Sequence, residues 1–116
     1  MLHTCHAIGC KYEVPPRMLF CNYHWLRTPA DLKQEIWRTY RPGQETDKRP
    51  SRAYLDAQQD CVLAVRAQEI TAEQAETWVK KIRQLALQYG APQEKVDRQI
   101  AVIRRFHPET KQGTLL

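Results

Sequence analysis

The stretch CHAIGCKYEVPPRMLFCNYHW, residues 5–25, holds three of the chain's four cysteines and two of its four histidines. Its spacing is Cys5-x4-Cys10, ten intervening residues, then Cys21-x2-His24. A close pair bends the backbone so that two side chains converge on one point. A short loop then brings the second pair to the first. Three thiolates and one imidazole are the ligand types of a closed, tetrahedral, structural zinc site. Cys5, Cys10, Cys21 and His24 are therefore the expected metal ligands, with Zn2+ as the cofactor. His3 and His6 are rivals for the fourth position. His24 is preferred because it completes a pair, whereas His6 directly follows Cys5, and adjacent residues rarely both reach one metal.

FCNYHW leads into helical sequence, so the second pair sits on a turn entering a helix. A first pair on a knuckle and a second at a helix start resembles the treble-clef group of zinc fingers. The x4 gap of the first pair is wider than the commoner two-residue gap. KYEVPPRML has too much proline for a central strand, and a short hairpin or extended loop is expected around Pro15-Pro16.

Thr28-Pro29-Ala30-Asp31 reads as a helix start, with Thr28 as cap, Pro29 in the first turn and Asp31 at the positive end of the dipole. Leu32, Ile36, Trp37 and Tyr40 share one face. Residues 41–51 form a polar loop. Ser51 is the expected cap of a second helix to about Gln68, with Tyr54, Leu55, Val62 and Val65 on its apolar side. Cys61 reads as a small buried residue. Thr71 with Gln74 three residues on is a capping-box signature. The third helix points Ala75, Trp78, Val79, Ile82, Leu85, Ala86 and Tyr89 inward and ends at Gly90. A fourth, from Pro92, carries Val96, Ile100, Ile103 and Phe106. His107 reads as a solvated cap, Pro108 stops the helix, and the last residues form a flexible tail. The expected fold is mainly α: a knuckle and first helix over 1–40, a loop over 41–51, a helical bundle over 52–107 and a tail over 108–116. Short links make the later helices antiparallel neighbours.

The chain has 116 residues, a net charge of +5 and 42% hydrophobic residues. At this length a metal staple contributes usefully to a small core. Residues 1–52 hold nine Lys/Arg against five Asp/Glu, and the remainder nine against eight. The basic excess thus lies with the cysteines. No apolar run is long enough to span a membrane, and MLHTCHAIGC lacks the basic and apolar regions of a secretory signal. A cytoplasmic location is expected, where clustered thiols favour metal over disulfide.

No catalytic residue is expected. Four protein ligands leave no open position for a reacting water. No His-x-Glu element precedes a Cys pair as in deaminases, and the glycines are too scattered for a phosphate loop. Two partner classes follow. Arg41, Lys48, Arg49 and Arg52 are candidate phosphate contacts for nucleic acid. Asp31, Glu35, Glu45 and Asp47 interleave with the basic residues of this half, which favours a protein partner instead. Leu19, Phe20, Trp25 and Leu26 are candidate interface anchors.

CHAIGCKYEVPPRMLFCNYHW together with TYRPGQETDKRPS, residues 39–51, resembles small proteins encoded by bacteriophages and prophages of Gram-negative bacteria, with an N-terminal zinc-finger motif. The likeness spans about the first two thirds of the chain. It implies an accessory protein acting in the bacterial cytoplasm on a host or phage protein, or on nucleic acid.

Overall fold

The computed structural model describes residues 2–107, so the expected Pro108 stop and the tail lie outside the described residues. The fold is mainly helical: β1 His3–Thr4, β2 Glu13–Val14, α1 Asn22–Leu26, α2 Ala30–Thr39, α3 Gln44–Asp47, α4 Arg52–Glu69, α5 Ala72–Tyr89 and α6 Gln93–Phe106. Among the described residues no helix is long and apolar enough to cross a membrane. The backbone separates into two compact units, residues 1–65 and 66–116, with the division inside α4.

In the first unit β1 and β2 pair antiparallel, His3 opposite Val14 and Thr4 opposite Glu13. The hairpin thus closes around residues 5–12 rather than at Pro15-Pro16. Proline cannot donate to a ladder, and Pro15 marks where pairing stops. α1 and α2 are two helices with a break at Arg27–Pro29. Thr28 does not cap α2. Its hydroxyl donates to the His24 carbonyl at 2.9 Å, a second bond to an oxygen that also accepts from the Arg27 amide at the end of α1, and the residue is buried. Pro29 takes the N-cap of α2 without a side-chain bond, while Asp31 stands in the first turn as its charge requires.

The polar loop folds more tightly than its composition suggests. Arg41 holds both carboxylate oxygens of Asp47, at 2.5 and 2.7 Å, and donates to the Arg49 carbonyl. The buried Gln44 accepts from the Arg41 amide. These bonds wind residues 44–47 into the one-turn helix α3 between Gly43 (φ 86°) and Lys48 (φ 62°). Ser51 then caps α4, accepting from the Tyr54 amide at 3.0 Å.

One apolar cluster joins these pieces. It contains Cys5, Ala7, Val14, Leu19, Phe20 and Cys21 from the N-terminal segment, Ile36 from α2, and Ala57, Cys61 and Val65 from α4. Cys61 has no exposed surface and behaves as a small apolar residue. Trp37, expected on the inward face, is 63% exposed, and Leu55 is also exposed.

In the second unit α5 opens on the expected capping box: Thr71 and Gln74 each accept from the other's backbone amide, at 3.1 and 3.0 Å. Gly90 ends α5 at φ 70°, in the left-handed region. α6 packs against α5, and Arg104 pairs with Glu76 at 3.2 Å. Ala75, Val79, Val96, Ile100 and Ile103 are buried. Leu85 and Tyr89 are exposed instead of inward, Tyr89 by 75%. The apolar stripe of α5 therefore loses cover toward its C-terminal end.

His107 corrects a further expectation. It is 1% exposed, and its Nε2–H donates to the Ile70 carbonyl at 3.0 Å. The ring closes the C-terminus of α6 onto the turn before α5. A buried ring that satisfies a backbone acceptor is costly to truncate. His107→Ala is expected to lower stability by about 3 kcal/mol through the cavity and the orphaned carbonyl. Urea unfolding checks this; a change under about 0.5 kcal/mol, typical of a surface site, would contradict it.

Candidate metal centre

The centre is assembled from three local devices. Cys5 directly follows β1, and its amide donates to the Tyr12 carbonyl at 2.8 Å. The chain then turns, closing with the Cys10 amide on the Ala7 carbonyl at 3.1 Å. Gly9 at φ 83° makes that turn, and a Cβ there would meet nothing within 4 Å. The need for glycine is thus conformational rather than steric. Cys21 is the N-cap of α1 and His24 lies in its first turn, so a three-residue step sets both on one helix end. The His6 amide, donating to the Leu19 carbonyl at 3.0 Å, brings the two segments together.

The result is a compact set. The ligand atoms of Cys5, Cys10, Cys21 and His24 all lie within 4.8 Å of one another. Cys10 Sγ is 4.0 Å from Cys21 Sγ, and His24 Nδ1 is 3.7 Å from Cys5 Sγ and 3.3 Å from Cys21 Sγ. A tetrahedral ion with bonds of about 2.3 Å to sulfur and 2.0 Å to nitrogen separates its ligands by about 3.8 Å for S···S and 3.5 Å for S···N. The observed separations fit. They are also far from the S–S bond of about 2.05 Å in a disulfide, and all four cysteines are free thiols. The four residues can coordinate a metal ion. His3 and His6 are outside the set, their rings 5.1 Å apart.

Their surroundings shift the two buried thiols in opposite directions. Burial pushes the Cys5 thiol up to about 11, beyond what the Cys21 and Ala7 amides recover. The Cys21 amide donates to Cys5 Sγ at 3.2 Å, a bond that favours thiolate. For Cys21, burial also raises the thiol, but the amide and imidazole of His24 and the thiols of Cys5 and Cys10 outweigh it, leaving it near 7. A divalent cation replaces these protons and compensates the buried charge. Cys5, Cys21 and His24 are buried and Cys10 is half-buried, which shields the centre from water.

The candidate nucleic-acid residues lie in and after the α3 loop. Arg41 is engaged by Asp47 and the Arg49 carbonyl, while Lys48, Arg49 and Arg52 are exposed. Reasoning from sequence missed the cavity that Lys48 shares with His3, His6, Arg17 and Tyr40. These residues are scattered along the chain, and no local spacing marks them.

No protein-family model, no curated protein and no solved structure matches the chain.

Thiol reactivity follows from the same geometry. Burial pushes Cys61 up to about 12, so it stays a neutral thiol at about pH 8 and reacts slowly. Iodoacetamide added with a strong chelator is expected to label Cys21, which lies near 7, well before Cys61, which is spared until denaturant is added. Mass mapping reads the result. Labelling of all four cysteines at one rate, or of Cys61 first, would contradict it.

Proposed function

We propose that the chain is a non-enzymatic binding module whose N-terminal unit is held in shape by a structural Zn2+, and that it binds and modulates a host protein as a phage-type accessory protein. The carrying observation is the closed donor set of three thiols and one imidazole within 4.8 Å. With four protein ligands the shell is full, which supports a structural over a catalytic ion. Zinc is the metal of choice for this thiolate-rich donor set. Cys10 between paired strands, with Cys21 and His24 on a helix start, supports a treble-clef-like arrangement.

A protein partner is preferred to nucleic acid. Arg41 is ion-paired with Asp47 through one guanidinium nitrogen, so the basic loop offers phosphate less charge than its composition suggests. Exposed or half-exposed aromatics beside it supply the kind of anchors that dominate protein interfaces: Trp37 stands edge-on to Trp25 and to Tyr40. The bacteriophage and prophage resemblance supports the bacterial cytoplasm as the place of action.

Immobilised, zinc-loaded protein in nuclease-treated bacterial lysate is expected to retain one host protein stoichiometrically, and to keep it as salt rises from about 50 to 200 mM. Phosphate-based binding falls by orders of magnitude over that range. A Cys21→Ser chain is expected to lose the partner with its metal. No enrichment over that control would end the protein-binding reading. Retention of nucleic acid alone, lost steeply with salt, would replace it with the nucleic-acid reading.

A further inference from the structure

Two cavities adjoin on the first unit. The larger, about 390 Å3, is bounded by His3, Arg17, Glu45 and Lys48 among others. The smaller, about 120 Å3, is walled by Phe20, Trp25, Ile36 and Trp37. Met18, Leu19, Tyr40 and Tyr54 are shared by both, with Arg17 at the junction, so the two form one groove. Its spine is a row of rings, Trp25–Trp37–Tyr40–Tyr54, each edge-on to the next with centroids 6.2, 6.1 and 6.4 Å apart. Such contacts hold the wall in place without the groove being filled.

We propose that this groove is the partner-docking site, and that it takes an extended acidic peptide segment anchored by one apolar side chain. The inference rests on the protein-binding reading above and names the partner's chemistry. The small aromatic compartment suits a single aliphatic or aromatic side chain. The large one carries Arg17 and Lys48 against one carboxylate, Glu45, which already accepts from the Tyr40 hydroxyl at 2.5 Å. The cationic excess complements acidic residues flanking the anchor.

Lys48 sits at the left-handed position that ends α3, at φ 62°. Two linked compartments along one wall suit successive residues of an extended chain better than one compact molecule. Rings set edge-on to each other form no parallel platform for stacked bases.

The probe is a random 12-residue peptide display library selected on the zinc-loaded full chain, followed by fluorescence anisotropy on the enriched peptides. Expected are sequences with one large apolar residue flanked by Asp or Glu. Lys48→Gly suits its backbone and is expected to fold, yet to weaken these peptides about tenfold. Arg17→Gln and Trp37→Ala are expected to do the same, whereas Arg83→Gln on α5 changes nothing. Enrichment of basic or purely polar peptides, no enrichment, or affinities unmoved by the groove variants would overturn the proposal. So would an oligothymidine that binds more tightly than any peptide and is lost in Lys48→Gly. If the lysate partner is captured equally by wild type and by the Arg17→Gln/Trp37→Ala/Lys48→Gly chain, the binding-module reading stands and the groove falls. If neither chain captures a partner and no peptide is enriched, both fall.

Discussion

Three thiols and an imidazole packed within 4.8 Å of each other form the constraint on which the N-terminal unit depends. Few backbone elements support this region: two strands of two residues and a helix of five. None would persist alone in water. Burial holds the proton on Cys5, while Cys21, despite its own burial, is drawn toward thiolate by the His24 amide and imidazole. A cation bound there would displace the thiol protons and tie the turn-rich segment together. Binding energy in such a centre is folding energy.

From the four donor residues the packing extends outward. Cys5 and Cys21 belong to the same apolar cluster as Phe20, Ile36, Ala57 and Val65. The centre therefore positions the knuckle against α2 and the early turns of α4. The edges of the groove come from this arrangement: His3 leads into Cys5, Arg17 and Met18 lie on the span between the ligand pairs, and Trp25 directly follows His24. A chain this small can use a metal to create a shaped surface where its apolar core alone would be insufficient.

Local chemistry made much of this legible. The ligand spacing needed only that neighbouring side chains converge, and Thr71–Gln74 and Gly90 are governed by backbone groups one turn away. What stayed hidden depends on distant partners. α3 exists because Arg41 reaches Asp47 and Gln44 reaches back to Arg41 within a stretch whose composition reads as loop. His107 is buried because Ile70, 37 positions earlier, presents a carbonyl to it. Periodicity located the apolar stripes of α2 and α5 but not their edges, so Trp37, Leu85 and Tyr89 proved exposed. Thr28 carried the right chemistry for a cap, but it serves the helix before it rather than the one after.

X-ray absorption at the zinc edge, on protein purified without added metal, reads the central interaction most directly. Expected is one zinc per chain with three sulfurs at about 2.3 Å and one nitrogen at about 2.0 Å. A chain that folds fully with no metal, or a zinc coordinated by water oxygens in place of Cys5, Cys10 or Cys21, would contradict it.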